Sequence, residues 1–115
     1  MQKMNPEIKA QWVAALRSGD YKQGRQQLRD ADNFFCCLGV LCNLHAIAHP
    51  RVAAAQSKTT EYQGQPALPS GDVEQWAGVS YAEAVSIDGQ TLPLYAHNDT
   101  GKTFAQIADA IESQL

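Results

Sequence analysis

The chain has 115 residues, 44% apolar and 18% charged, with a formal net charge of −3. That size and balance describe one soluble globular domain, residues 1–115, and argue against a dedicated nucleic-acid binder, which carries a basic face. Three cysteines, two of them adjacent, argue against a disulfide framework and point to a reducing cytoplasm.

Asn5-Pro6-Glu7 is a helix start: asparagine as cap, proline at the first helical position and an acid in the first turn. The polar N-terminus leads straight into this signal, so no signal peptide is expected. Ile8, Trp12, Ala15 and Leu16 recur at helical spacing, and Gly19 is placed to end the helix, predicted over residues 6–18. Residues 21–32 are polar and without a period. Gln26-Gln27-Leu28-Arg29 is predicted as a short strand or an irregular crossing, with Asp32 or Asn33 capping the next element.

Residues 34–44 are the greasiest window, nine of eleven being apolar when cysteine is counted as a small hydrophobe. A segment apolar all round must be covered all round. Extended through His45 to Ala48 it is too long for a typical strand, so a buried central helix is predicted. It falls well short of the roughly 20 residues a membrane span needs. Gly39 costs about 1 kcal/mol inside a helix, so it is expected to admit a neighbouring backbone, with the Trp12 helix as candidate. Pro50 stops the element.

Residues 51–56 are alanine-rich and ambiguous. Residues 58–62 look like a strand and residues 63–66 like its turn. Ser70 then caps a short helix with Val73, Trp76 and Ala77 on one face, closed by Gly78. Residues 81–87 and a return strand through Leu92, Leu94 and Tyr95 flank the hairpin turn Asp88-Gly89, with Pro93 forcing the return strand to an edge. Thr103 and Gln106 form a capping box ahead of a helix burying Phe104, Ile107, Ala108 and Ile111. The expected class is α+β: three or four helices around a buried central one, with a small antiparallel hairpin.

Few residues suggest chemistry. Thr100-Gly101-Lys102-Thr103 lies where a phosphate-binding loop would, between a predicted strand and a predicted helix, but the glycine that motif needs six positions before its lysine is Ala96. No cofactor is therefore implied. What survives is anion binding at a helix N-terminus, with Asn98, Asp99, Lys102 and Thr103 as candidate ligand-binding residues beside Arg25 and Arg29. The competing reading is that Asn98, Asp99 and Thr103 shape a turn. Cys36, Cys37 and Cys42 could serve a small cysteine-dependent enzyme, with His45 nearby, but apolar surroundings raise a thiol's pKa. A zinc site needs four ligands, typically from two short pairs, and Cys37 and Cys42 point about 140° apart around a helix. A set of Cys42, His45, His49 and His97 is conceivable. His49 and His97 are predicted to sit in loops or caps. No catalytic residue and no metal ligand is assigned.

Several stretches together resemble a family of small uncharacterised phage and prophage proteins: Asn5 through Trp12, Ala15 through Gly19, Phe35 through Cys42, Leu68-Pro69, Trp76-Ala77-Gly78, Asn98-Asp99, and Phe104 with Ile107 and Ala108. Residues 46–56 depart from its pattern. The resemblance implies origin: a non-catalytic accessory protein of the bacterial host cytoplasm that acts by binding. Its expected partner is a host defence protein that it blocks, or a small anionic nucleotide-like signal that it sequesters. A structural or regulatory protein acting through homo-oligomerisation is the alternative outside both classes.

Overall fold

The computed structural model describes residues 4–56, 58 and 60–115. The first helix, α1 (Pro6–Arg17), begins as its sequence dictates, with the Asn5 side chain accepting from the Glu7 and Ile8 amides at 3.0 and 3.4 Å. Its apolar stripe of Ile8, Trp12, Val13 and Leu16 is buried. Gly19, at φ +80°, takes the left-handed conformation that turns the chain away.

Two short strands follow, β1 (Lys22–Gln23) and β2 (Phe34–Phe35), paired in parallel with Lys22 opposite Phe34. Between them the chain crosses irregularly, burying Leu28 and bridging Arg29 to Phe35. The greasy run is a helix from its fourth residue on: α2 (Cys37–Ala48), with every residue from Cys37 to Cys42 buried. Neither Asp32 nor Asn33 caps it. Cys36 does, its sulfur accepting from the Gly39 amide at 3.3 Å, because Phe34 and Phe35 remain extended against β1.

Gly39 does meet a foreign backbone, but that of Leu28 and not of α1. A Cβ at Gly39 would lie 1.7 Å from the Leu28 carbonyl oxygen. That carbonyl also accepts from the Cys36 amide at 3.3 Å, so the crossing segment is held down on the first turn of α2. The α1 helix reaches α2 differently, through a bond from Trp12 Nε1 to the Cys37 carbonyl at 2.9 Å.

His49 ends α2, and Pro50 opens a short helix, α3 (Pro50–Ala54). The predicted strand at 58–62 lies partly outside the described residues. At its end Tyr62 and Gln65 exchange backbone bonds across a tight turn. The tryptophan helix is α4 (Gly71–Ala77), with Val73 and Ala77 buried and Trp76 half-buried. The hairpin pairs β3 (Ala84–Ile87) with β4 (Gln90–Pro93) around Asp88-Gly89, burying Val85 and Ile87. The return strand stops at Pro93, short of the expected Leu94 and Tyr95. Those two begin a further helix, α5 (Leu94–Asp99), which carries His97 into the core instead of a loop. The capping box of Thr103 and Gln106 starts α6 (Phe104–Gln114) as expected. The Gln114 amide pairs with both backbone groups of Ser86 at 2.8 Å, so the outer edge of β3 is covered.

The architecture is α+β: six helices among the described residues, the four expected ones plus short α3 and α5, with the hairpin and the parallel pair. Packing runs α6 along α1, and α2 against α1, α3, α4 and α5. No described helix is long and apolar enough to cross a membrane.

Glycine-to-alanine substitution ordinarily stabilises a helix by up to about 1 kcal/mol. Gly39→Ala is expected to do the reverse, by about 3 kcal/mol, because the added methyl would collide with the Leu28 backbone, which has no rotamer through which to yield. Gly71→Ala, with open space around its would-be Cβ, is expected to be neutral or stabilising. Thermal melts of the two variants check both signs; a Gly39→Ala protein as stable as the wild type would refute the close approach.

Candidate binding site

The loop that carried the anion-binding expectation is knitted into the fold. Asn98 is fully buried: its Oδ1 accepts from Gln23 Nε2 at 3.0 Å and from the Cys37 amide at 3.1 Å, while its Nδ2 donates to the Gly24 carbonyl at 2.8 Å. Gln23 continues the network, donating to the Lys102 carbonyl and accepting from the Phe104 amide. Asp99 accepts from the Gln26 amide at 2.9 Å, fixing that residue at φ +66°. Lys102 Nζ pairs with Asp88 in the hairpin turn at 3.1 Å, with only 19% of its side chain exposed. Thr103 caps α6. Arg25 is exposed and lies across Gly101, its terminal nitrogen 3.6 Å from where a Cβ would be. Five of the six candidate residues thus share one corner, and the side chains of Asn98, Asp99, Lys102 and Thr103 bond within the protein. Arg29 lies apart from them.

The three thiols are buried and free. Burial pushes Cys36 up to about 11 and raises Cys37 and Cys42 as well. Cys37 faces the Leu94 carbonyl at 3.7 Å, an acceptor and not a base that would ionise it. His97 donates from Nε2 to the Val85 carbonyl at 2.7 Å, and its buried Nδ1 has no partner among the described residues. His45 and His49 stack at 4.0 Å under the edge of Trp76. His45 Nδ1 lies 2.6 Å from the Tyr62 hydroxyl. Burial, and then the neighbouring His49, lower the pKa of His45, and burial pushes the Tyr62 phenol up to about 12. No three described His, Cys, Asp or Glu residues gather in a way that would hold a metal ion.

A cleft of about 350 Å³ opens beside α2. Its floor is apolar: Leu28 and Phe35 from the crossing segment, with Gly39, Cys42 and Ala46 from the helix. Ala53, Gln56, Lys58, Glu61 and Tyr62 make up the rest of its wall. Gln56 props that wall, donating to the Glu61 carbonyl and accepting from the Gln63 amide at 2.8 Å. Arg29 stands at the rim, its guanidinium 5.1 Å from the centre of the Phe35 ring and its Nε bonded to Asn33 at 3.0 Å. Asn43 enters from α2 with Nδ2 donating to the Tyr21 hydroxyl at 2.6 Å. Tyr21 itself packs edge-on against Phe35.

Of the residues expected to bind a ligand, only Arg29 lines this cleft. Sequence reasoning passed over Asn43, Lys58, Glu61 and Tyr62. Asn43 carried a signal, being the lone amide in the apolar run, where an unexplained polar group usually has a task. The others were absorbed into a predicted strand.

Asn98→Ala strips a buried amide from the Cys37 N–H and the Gly24 carbonyl at once, and each unsatisfied group costs about 1–3 kcal/mol. A loss of about 2–4 kcal/mol is expected in urea unfolding, and Asn98→Asp should not restore it because a carboxylate cannot donate to Gly24. Ellman's reagent should find no fast thiol in the native protein and three after denaturation. A single rapidly reacting cysteine would contradict the burial of all three.

Among known proteins, no curated sequence and no solved structure gives a significant match. Residues 4–115 match the family model described as a domain of unknown function, DUF8296. Since the match covers nearly the whole chain, the protein belongs to the DUF8296 family.

Proposed function

We propose that this protein is a non-catalytic binder that captures a small anionic molecule in the cleft beside α2. The carrying observation is the cleft itself: a concave, mainly apolar floor with a few convergent polar groups, at a volume within the range of small-molecule sites. Arg29 and Lys58 supply the positive charge on its rim. The buried, high-pKa thiols support a role without cysteine chemistry, since a nucleophile needs a thiolate and a base within reach. The phage-like stretches of the sequence support an origin in a phage or prophage, and with it a role in the host cytoplasm. There, holding a small signal molecule would blunt a defence response that depends on it.

The test is a thermal-shift screen of a bacterial metabolite extract, followed by mass spectrometry of what stays bound to the protein. A ligand at a hundredfold excess over its Kd adds about 2.7 kcal/mol to stability, read as a melting-point rise of roughly ten degrees for a chain of this size. Ala46→Trp, which fills the cleft, should abolish the shift. If no fraction shifts the melt, or if Ala46→Trp binds equally well, the cleft is not the binding site.

A further inference from the structure

The cleft lining specifies more than a small anion, provided that the cleft is the binding site proposed above. Three chemistries meet there. The first is flat: Phe35 lies beneath the Arg29 guanidinium, and Tyr62 also lines the cleft. Guanidinium and phenyl planes together make a stacking platform for an aromatic ring. The second is an amide. Nδ2 of Asn43 is held by Tyr21, and its Oδ1 accepts from no described residue, which leaves it free to meet the hydrogen-bonding edge of a ring. The third is charge. Lys58 and Glu61 stand 4.0 Å apart and offset each other, which leaves Arg29 as the net charge of the lining. The Nε bond to Asn33 fixes the plane of that guanidinium, and its two terminal nitrogens have no acceptor among the described residues.

We infer that the cleft takes a nucleotide bearing a single negative charge, one whose phosphate is a diester. The base stacks against Phe35 and Arg29 and bonds Asn43 through its edge, and the phosphate meets the guanidinium fork. One fork matches one phosphate in paired hydrogen bonds. Terminal phosphates carry further charge, which a lining with a net charge of one guanidinium does not neutralise. The volume lies near the lower end of the roughly 300–1,000 Å³ typical of ligand sites, so one nucleotide fits better than two.

The experiment uses the intact chain and the 3′,5′-cyclic monophosphates of adenosine, guanosine, cytidine and uridine as singly charged probes, beside the matching nucleosides, 5′-monophosphates and 5′-triphosphates. Calorimetry gives affinities, and nitrogen-detected NMR follows the Asn43 amide and Arg29 Nε. At least one cyclic mononucleotide should move both signals and bind at least tenfold more tightly than its triphosphate. Arg29→Gln should cost at least tenfold more for that cyclic nucleotide than for the matching nucleoside, which shares the base contacts but has no phosphate to lose. Lys58→Glu, at a side chain 67% exposed and so without consequence for folding, should weaken the same probe at least tenfold. The proposal is overturned if no cyclic mononucleotide moves either signal at 5 mM, if the triphosphate binds as tightly, or if neither substitution changes the affinity. A metabolite hit blocked by Ala46→Trp but not by nucleotides would overturn the ligand class and spare the binding role. A cleft that takes nothing from either panel would overturn both.

Discussion

The first turns of α2, Cys37 to Cys42, are buried on every side, so the polar groups that open the helix must be answered from within the protein. At the start of α2 each answer comes from a different part of the chain. Asn98, sixty-one residues away, accepts from the Cys37 amide. Trp12, from α1, donates to the Cys37 carbonyl, and the Cys36 sulfur takes the Gly39 amide. The Leu28 carbonyl presses on Gly39 where any side chain would stand in its way. These bonds are buried, so each is worth more than its surface counterpart, and loss of a partner leaves a polar group stranded. The first turn of α2 is therefore where α1, the crossing segment and α5 are brought into register.

The cleft follows from the same arrangement. Because the crossing segment is pinned at Leu28 on the first turn of α2, it leaves the helix's later turns uncovered on that side. Those turns would expose Cys42 and Ala46 to water if nothing else approached. The chain beyond α3 returns with Tyr62 to meet His45, and Gln56 ties Glu61 and Gln63 beside it. A furrow with an apolar floor remains, edged by the polar side chains of two loops. Its floor belongs to the rigid core and its rim to irregular segments, the usual division between scaffold and recognition.

Where local pattern and tertiary demand agreed, the sequence was readable. Asn5 and Pro6, the capping box at Thr103 and Gln106, and the Asp88-Gly89 turn each carry their own local mechanism, and each sits where that mechanism puts it. The failures share another cause. Leu94 and Tyr95 have the look of a strand, yet they begin a helix, because that helix sends His97 inward to the Val85 carbonyl and Asn98 to the Cys37 amide. Gly39 announced a close approach, but its partner, Leu28, lies in a stretch without any period to read. The cleft was the least legible part, since its walls come from three separated segments and only Asn43 stood out as a polar residue in an apolar run.

The loop at 98–103 shows why residue type alone misplaces a binding site. An asparagine, an aspartate, a lysine and a threonine before a helix could cradle an anion or could tie a turn, and the sequence is the same for both. Burial separates the two: Asn98 is wholly enclosed, and Lys102 spends its charge on Asp88. Arg29 has the opposite circumstances. Its guanidinium is oriented by Asn33 and Phe35 but not consumed by them, since neither takes its terminal nitrogens. A side chain held in place with its strongest donors left over is pre-organised for a partner from outside, and the entropy of fixing it has been met in advance.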